Sequence, residues 1–344
     1  MPHASPMSLA KLARITVLMA GLLAPCTALP PAHFTFAVIS DVHMDLRKLG
    51  LAFRDMKARR VDTAVVVGDT CDGQQKEYDS LRTFLAEKPH PQRLFFTMGN
   101  HEYYAAYHPG GGDYDEAGFP NGETSAACRE RFNRFRGAGA GDPVYHDAWV
   151  EGLHFIFLAG ERSRMDDPAF LDDAVLTGAQ LSWLEAHLAE TPVPGAPVFV
   201  FLHQPFQDTV SGSGGRGDGS LSIRQGTALE GILAAHPGVF FFSGHTHWRL
   251  ALPTTHRAGA APGLQLFNTS SVRDPYTSAD EPVKHAMSEG LTVTVTRNRV
   301  VVTARDFLGR RDLPGQRYEF RLPSPRKTGG FSPSAAAGGA GAGR

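Results

Sequence analysis

The chain's 344 residues suffice for one large α/β domain or two modest ones, and a hydrophobic content of 42% is ordinary for a globular core, which excludes a disordered protein. A formal net charge of -1 gives no electrostatic reason for a long nucleic acid or an anionic membrane to be the main partner. Any anionic ligand must be gripped by local groups.

Lys11 and Arg14 precede the apolar run Ile15 to Ala24, and small residues and prolines follow, which is the order of a secretory signal peptide. Cys26 and Ala28 stand at the small-residue positions of a cleavage site, so residues 1–28 are expected to be a leader and the mature chain to start near Leu29. The run falls short of the ~20 apolar residues that span a bilayer. Export to the periplasm or medium of a bacterial-type cell is expected, with no transmembrane domain after signal removal. Leu23 to Cys26 faintly resembles a lipidation box, but Pro25 directly before the cysteine counts against anchoring. Without Cys26, Cys71 and Cys128 remain as either one disulfide or two separate thiols, and spacing does not decide between them.

From residue 33 onward, short apolar runs alternate with helical patterns, which predicts an α/β domain over 33–322. Phe34 to Ile39, Ala64 to Val67, Leu94 to Thr97, Phe155 to Leu158, Val198 to Leu202, Val239 to Phe242 and Leu264 to Phe267 read as buried strands. Thr177 with Gln180, and Ser222 with Gln225, carry the capping-box signature and predict two helix starts. Leu291 to Val295 and Arg299 to Thr303 alternate around Arg297 and Asn298 as a hairpin, and Tyr318 to Leu322 adds a strand. His108 to Gly122 is a Gly-rich excursion, Ser211 to Gly219 reads as a mobile Gly/Ser loop, and 323–344 as a disordered low-complexity tail. No repeat or second-domain linker is evident.

Metal-capable side chains recur where these strands end. Asp41 and His43 follow the first, Asp69 and Asp72 the second, and Asn100 and His101 the third; His203 follows Val198 to Leu202, and His245 and His247 follow Val239 to Phe242. In open α/β sheets ligands sit beyond the carboxyl ends of the strands, so five strand ends can share one crevice. Residues two apart in extended backbone point the same way, which lets Asp41 and His43, or His245 and His247, address adjacent metal positions. Glycines before Asp69, Asn100 and His245 permit sharp turns and close backbone approach.

Asp-x-His, Gly-Asp-x-x-Asp, Gly-Asn-His-Glu, a lone His after a strand, and Gly-His-x-His, in that order over residues 41 to 247, resemble the motifs of calcineurin-like metallophosphoesterases. The resemblance implies a four-layer α-β-β-α sandwich of two mixed sheets, with the metal site at the carboxyl ends of the strands. It implies that Asp41, His43 and His247 bind one metal, that Asn100, His203 and His245 bind another, and that Asp69 bridges them. It further implies that His101 faces the leaving group or a phosphate oxygen and that Asp72 orients it. Gly68 to Asp72 lacks the iron-binding tyrosine of purple acid phosphatases, and Gly73 stands where serine/threonine protein phosphatases place an arginine, so neither branch is expected.

Two divalent metals bring about +4 of charge and two carboxylates remove two, which leaves a site that attracts a phosphate ester. The expected reaction is hydrolysis of a small phosphodiester or phosphomonoester by a metal-activated hydroxide, with His101 assisting the leaving oxygen. Imidazole, carboxylate and amide ligands without thiolate suit Mn, Fe, Zn or Co better than Ca. Alternatives are a non-catalytic phosphate- or ligand-binding protein on the same fold, and a cell-surface protein with a purely structural metal.

Other residues near the motifs carry two readings each. Asp72 either orients His101 or caps a turn, Cys71 packs or pairs, and Glu102 either supports the site or is an ordinary carboxylate. Tyr103, Tyr104, His108, Asp113 and Tyr114 contact substrate or form a surface loop. Trp248 stacks on a ligand ring or packs in the core. Asn268 to Ser271 are expected to support the site rather than ligate.

Overall fold

The computed structural model describes residues 33–190, 196–214, 222–260, 263–283 and 286–322. The expected leader, residues 215–219 of the Gly/Ser loop and the expected tail lie outside the described residues. Among the described residues twelve strands form two six-stranded sheets. One is built from β1 (Phe34–Ile39), β2 (Thr63–Val67), β3 (Arg93–Thr97), β10 (Glu289–Thr296), β11 (Arg299–Asp306) and β12 (Arg311–Arg321), in the order β12-β11-β10-β1-β2-β3. The other holds β4 (His146–Val150), β5 (Leu153–Phe157), β6 (Val198–Phe201), β7 (Val239–Ser243), β8 (His256–Ala258) and β9 (Gln265–Asn268), in the order β4-β5-β6-β7-β9-β8. Both are mixed: β1-β2-β3 and β5-β6-β7-β9 run parallel, and the outer strands pair antiparallel.

The period-two alternation of side chains sorts the core into three layers. Ala37 and Ile39 of β1 pack with Leu49, Phe53 and Met56 of helix α1 (Leu46–Ala58), and with Leu81 of α2 (Gln75–Glu87) and Phe132 of α3 (Ser125–Arg136). Phe36 and Val38, on the opposite face of β1, meet Phe155, Phe199 and Phe242 of the other sheet. Val198 and Val200 turn outward onto Leu184 and Leu188 of α4 (Gly178–Ala189) and Leu229 and Leu233 of α5 (Gly226–Ala234). Helices therefore cover both outer faces of a sheet-on-sheet core, as the four-layer sandwich requires.

Between the sheets, Phe157, Phe201, Phe242 and Phe267 form a row of rings across β5, β6, β7 and β9, with centroids 5.3 to 5.5 Å apart and planes within 18° of parallel. Same-face aromatic pairs on adjacent strands favour one register. Phe201 and Phe242 stand two and three residues before His203 and His245, so the row anchors the strand ends that carry them.

The expected strands are present, most within about two residues at their ends, the usual scatter of such boundaries, but β11 runs three residues past Thr303 to Asp306 and β12 starts at Arg311, seven residues before Tyr318. Helices α1 to α3 had no starting signal recognised in the sequence, although Asp45 accepts from the Lys48 N–H at 2.8 Å and Glu77 Oε2 accepts from the Gln74 N–H at 3.0 Å. Edge strands β4 and β8 are too short and polar to stand out. Thr177 accepts from the Gln180 N–H at 3.2 Å, but the Gln180 amide turns to Ala159 and Glu161, so only half of that capping box forms. The second signature is corrected: Ser222 donates to Asp173, Gln225 accepts from the Leu176 N–H at 2.8 Å, and α5 begins only at Gly226. Ser211 and Ser213, expected in a mobile loop, are buried, with the Ser211 and Thr254 hydroxyls 2.7 Å apart. Cys71 and Cys128 are separate buried thiols, and burial first among its causes pushes the Cys128 thiol up to about 12. Among the described residues no helix is long and apolar enough to cross a membrane.

Candidate metal centre

Asp41 and His43 leave β1, Asp69 leaves β2, Asn100 and His101 leave β3, His203 leaves β6, and His245 and His247 leave β7. Backbone pairing continues past the strands: the Asp41 N–H donates to Gly68 O at 3.2 Å, and the Val42 and His43 N–H groups donate to Asp69 O at 2.9 and 3.0 Å. Gly244 N–H donates to His203 O at 2.9 Å, which ties the β7 end to the β6 end. The segment after β9 joins the two sheets, with Val272 N–H donating to Ser40 O at 3.0 Å and Ser271 Oγ to Asp41 O at 3.0 Å. Ser40 Oγ lies 2.7 Å from Thr269 Oγ1 and donates to Asp41 Oδ2. Thr269 to Ser271 thus brace the site, as expected.

Five of these residues have left-handed backbone: Asp41 (φ 54°), His43 (42°), Asp69 (51°), His245 (70°) and His247 (58°). Such angles are uncommon outside glycine and cost free energy, so they persist only where the surroundings over-determine them. Here continued strand pairing does so. Glycine at two neighbouring positions has a steric cause: a Cβ on Gly99 would strike Asp69 Oδ1, and one on Gly244 would strike Asp41 Oδ2.

The side chains converge in two groups. Asp41, His43 and His247 offer one ligand atom each, all within 4.8 Å of one another, and so do Asp69, His203 and His245. His247 Nε2 is 3.1 Å from Asp41 Oδ1, and His43 Nε2 lies 4.0 Å from Asp69 Oδ2, so the groups adjoin at the carboxylates. Asp41 Oδ1, Asn100 Oδ1 and His203 Nε2 are buried and make no well-aligned hydrogen bond, with His203 Nε2 3.0 Å from Asp69 Oδ2 and 3.9 Å from Asp41 Oδ1. Several buried polar atoms aimed at a common space, close yet misaligned for bonding one another, are what a cation site needs. The residues therefore fit divalent metal ions.

Tautomers are set from behind. His203 Nδ1 bonds Val67 O at 2.7 Å and His247 Nδ1 bonds Asp274 O at 3.2 Å, so both rings turn Nε2 to the carboxylates. Glu102, fully buried, accepts from the N–H groups of Asp69 (3.1 Å), Thr70 (2.7 Å) and Gly99 (2.6 Å) and locks the second and third motifs together. That settles its two readings in favour of support.

Without metal the charges are in tension. Burial pushes the Asp69 carboxyl up, but His203 and His101 more than offset it and hold it well below the usual range. Burial pushes His203 down, but Asp69 and Asp41 overcome it and hold the ring up at about 10. Burial together with His101 depresses His43 to about 3, and burial together with His203 depresses His245 to about 4, so both are neutral and ready to ligate. Glu102 is pushed up to about 7 by burial and by Asp69.

On one side of the cleft His101 Nδ1 bonds Asp72 Oδ1 at 2.8 Å, and His108 Nε2 bonds the other carboxylate oxygen at 3.2 Å. Burial opposes the charge on His101, but Asp69 and Asp72 raise the ring to about 9. Tyr104 lies against His101, with centroids 4.0 Å apart. Its hydroxyl donates to Asp172 Oδ1 at 2.9 Å and accepts from Asn100 Nδ2 at 3.4 Å. With the tyrosine proton given to Asp172, Asn100 presents its NH2 to Tyr104, and its Oδ1 is left buried without a hydrogen bond.

The cleft has a volume of ≈ 330 Å³, and its lining includes Asp172, Arg273, Asp274 and Tyr276, none of them singled out in the sequence. Asp172 follows no strand and had no signal to find it. Tyr103 is buried, with its hydroxyl on Gly160 O at 2.8 Å, and Tyr114 is exposed against Tyr107. Asp113 is an exposed loop residue. Trp248 does not line the cleft; it packs on Gly212 and donates to Asp280 Oδ1 at 3.2 Å.

Comparison with known proteins places the family and the fold. An uncharacterized metallophosphoesterase of Aquifex aeolicus (strain VF5) is 38% identical over 69 residues, a segment covering 19% of this chain and 26% of that relative. This chain therefore spans only about a quarter of the length of the curated relative it matches. A dimetal phosphatase from Danio rerio superposes with a TM-score of 0.58 at 17% identity, over 85% of this chain and 100% of that one. Purple acid phosphatase PPD1 from yellow lupin superposes with a TM-score of 0.54 at 13% identity, over 84% of this chain and 54% of that one. Both likenesses are of fold. Residues 34–249, spanning all five motifs, match the family described as Calcineurin-like phosphoesterase. The chain belongs to the calcineurin-like phosphoesterase family, whose members are classed as phosphate-ester hydrolases.

Proposed function

We propose that this protein hydrolyses a small phosphodiester at a dinuclear metal centre. Asp41, His43 and His247 would hold one ion, Asn100, His203 and His245 the other, and Asp69 both. The observation that carries this reading is the meeting of two ligand groups, Asp41 with His43 and His247 and Asp69 with His203 and His245, each with its ligand atoms within 4.8 Å of one another and with His203 Nε2 3.9 Å from Asp41 Oδ1. Divalent Mn, Fe, Zn or Co in that space supplies Lewis acidity and a nucleophile at neutral pH by lowering the pKa of water.

The chain's own residues do the rest. His101, its Nδ1 tied to Asp72 at 2.8 Å and its ring at the edge of the cleft, stands to give a proton to the leaving oxygen. Among the residues lining the cleft, Arg273 is the sole Lys or Arg, and its Nε already lies 3.1 Å from Asp274 Oδ2. A singly charged diester therefore suits the cleft better than a dianionic monoester. The left-handed strand ends and the open cleft argue against a purely structural metal, which protein ligands would enclose.

A paired assay of the Mn-loaded protein with bis(4-nitrophenyl) phosphate and 4-nitrophenyl phosphate tests the reading. The diester is expected to show a kcat/KM at least ~10-fold higher, a difference of about 1.4 kcal/mol in the barrier. Turnover of the monoester alone would sink the diester assignment. Bound metal with no hydrolysis of either ester would favour the non-catalytic binding protein. The Lys11 to Ala28 leader supports export, and a mature N-terminus near Leu29 in the exported fraction is the expected check.

A further inference from the structure

Beside the metal cleft, and sharing Asn100, Tyr104 and Asp172 with it, lies a small hollow whose wall includes Tyr107, Arg162 and Arg164. Its wall includes Tyr104, whose ring lies against His101, the residue assigned above to the leaving oxygen. Arg164 is held there by long contacts: Nη2 lies 3.4 Å from Asp172 Oδ2 and Nη1 lies 3.4 Å from Tyr107 Oη. Its Nε is buried with no hydrogen-bond partner. An arginine fork with a buried free donor and two stretched bonds is poorly satisfied, whereas guanidinium readily takes two oxygens of an oxyanion. Arg162 adds a second cation at the same wall, its guanidinium 5.0 Å above the Phe170 ring.

The backbone adds an independent sign. Leu171, which lines the hollow just before Asp172, sits at φ 49° and ψ -128°, a region that side-chain-bearing residues rarely enter. The neighbouring Asp173 is bound by the Ser222 N–H at 3.0 Å and by Arg224 at 2.7 Å, which leaves Asp172 alone to face the cleft. Strain of this kind collects where a side chain is held for use.

The interior of the hollow, ≈ 20 Å³, admits only a water-sized group, but the Arg164 side chain is 31% exposed; we propose that the mouth of the hollow is a leaving-group subsite and that Arg164 there binds an oxyanion carried by the departing half of the substrate. The inference rests on the phosphodiesterase reading above and narrows it: the substrate is a diester or anhydride whose leaving half bears its own phosphate or carboxylate. Arg164 acts on specificity rather than on the reacting atoms.

The test uses Mn-loaded full-length protein and three esters: methyl 4-nitrophenyl phosphate, and its analogues with a carboxylate or a phosphonate on the aryl ring. The native protein should prefer an anion-bearing ester by at least tenfold in kcat/KM, and which anion is favoured identifies the chemistry. Arg164→Gln should cut that preference at least tenfold, and Arg164→Lys should restore part of it. Because the readout is a ratio within one protein, a loss of folded material does not mimic the effect. A native protein without preference, or one whose preference survives Arg164→Gln, overturns the subsite. If no ester is hydrolysed, the phosphodiesterase reading fails, and the same ratio is then read from calorimetric affinities, with the same outcomes deciding the subsite.

Discussion

In the metal cradle, side chains ride on strand ends whose pairing the sheets continue beyond β1, β2, β6 and β7, while the facing wall from His101 to Tyr114 and from Gly160 to Asp173 is built of short 3-10 turns packed on one another. The cradle gets its accuracy from the sandwich beneath it, with the Phe157, Phe201, Phe242 and Phe267 row fixing register two or three residues below two ligands. The wall gets its accuracy from side-chain hydrogen bonds such as Asn100 to Tyr104 to Asp172. A site built on the sheet holds a charge-dense centre, and a wall built on turns leaves room for a substrate to vary. Substitutions in the cradle should therefore remove chemistry, and substitutions in the wall should retune it.

The largest expected effect is Asp69→Asn, which removes the carboxylate grouped with His203 and His245 and lying 4.0 Å from His43 of the other group. Bound metal and kcat/KM should fall together, the latter by about 10³-fold or more, which is ~4 kcal/mol of barrier. Metal retained with full turnover would break the cradle assignment. His101→Ala should lower kcat by about 10²-fold with metal content held, the usual scale for losing a general acid. If turnover were unchanged, another group would have to protonate the leaving oxygen.

Tyr104→Phe tests the wall's hold on the cradle. Without the hydroxyl, Asn100 loses the partner of its NH2 group, and affinity for the metal at the Asn100, His203 and His245 group should weaken about fivefold, the worth of one ordinary hydrogen bond. Calorimetric metal titration of the variant checks this. Equal affinities would disconnect the two regions.

The smallest effect is a proton count. The His203 ring has a pKa raised from 6.5 to about 10 in the metal-free protein, so at neutral pH it carries a proton on the nitrogen that a metal must take. Its sign is that of a raised imidazole: the stability it adds to the metal-free fold is fully present below pH 6.5 and is lost as pH rises through about 10. Metal binding should therefore release about one proton at neutral pH and tighten as pH rises toward 10. Titration in two buffers of different ionisation enthalpy measures it, and no release would mean that His203 is already neutral.

The same contrast explains what could be read from the sequence. Strand ends were legible because buried runs of Val and Phe stop abruptly at Gly-Asp, Gly-Asn-His and Gly-His-x-His, but the extended period of two expected to aim those side chains is replaced by left-handed backbone at Asp41, His43, His245 and His247. Glu102 could be suspected from its place beside His101, but its three backbone donors come from two separate motifs and appear only in the fold. Asp172 and Arg164 had no signal, because their positions depend on a strained turn at Leu171 and on Tyr104, a residue 68 positions earlier than Asp172. Ser222 misled for a related reason: its hydroxyl found Asp173, 49 residues away, in place of its own helix.

Metal removal and return in the native protein is the most direct test of the central claim that five strand ends form one dinuclear hydrolytic centre. After chelation, bis(4-nitrophenyl) phosphate hydrolysis should vanish. On titration with Mn it should return in step with the metal and level off at about two ions per chain, as a two-metal site requires. Hydrolysis that persists in the metal-free protein, or two bound ions without hydrolysis, would contradict it.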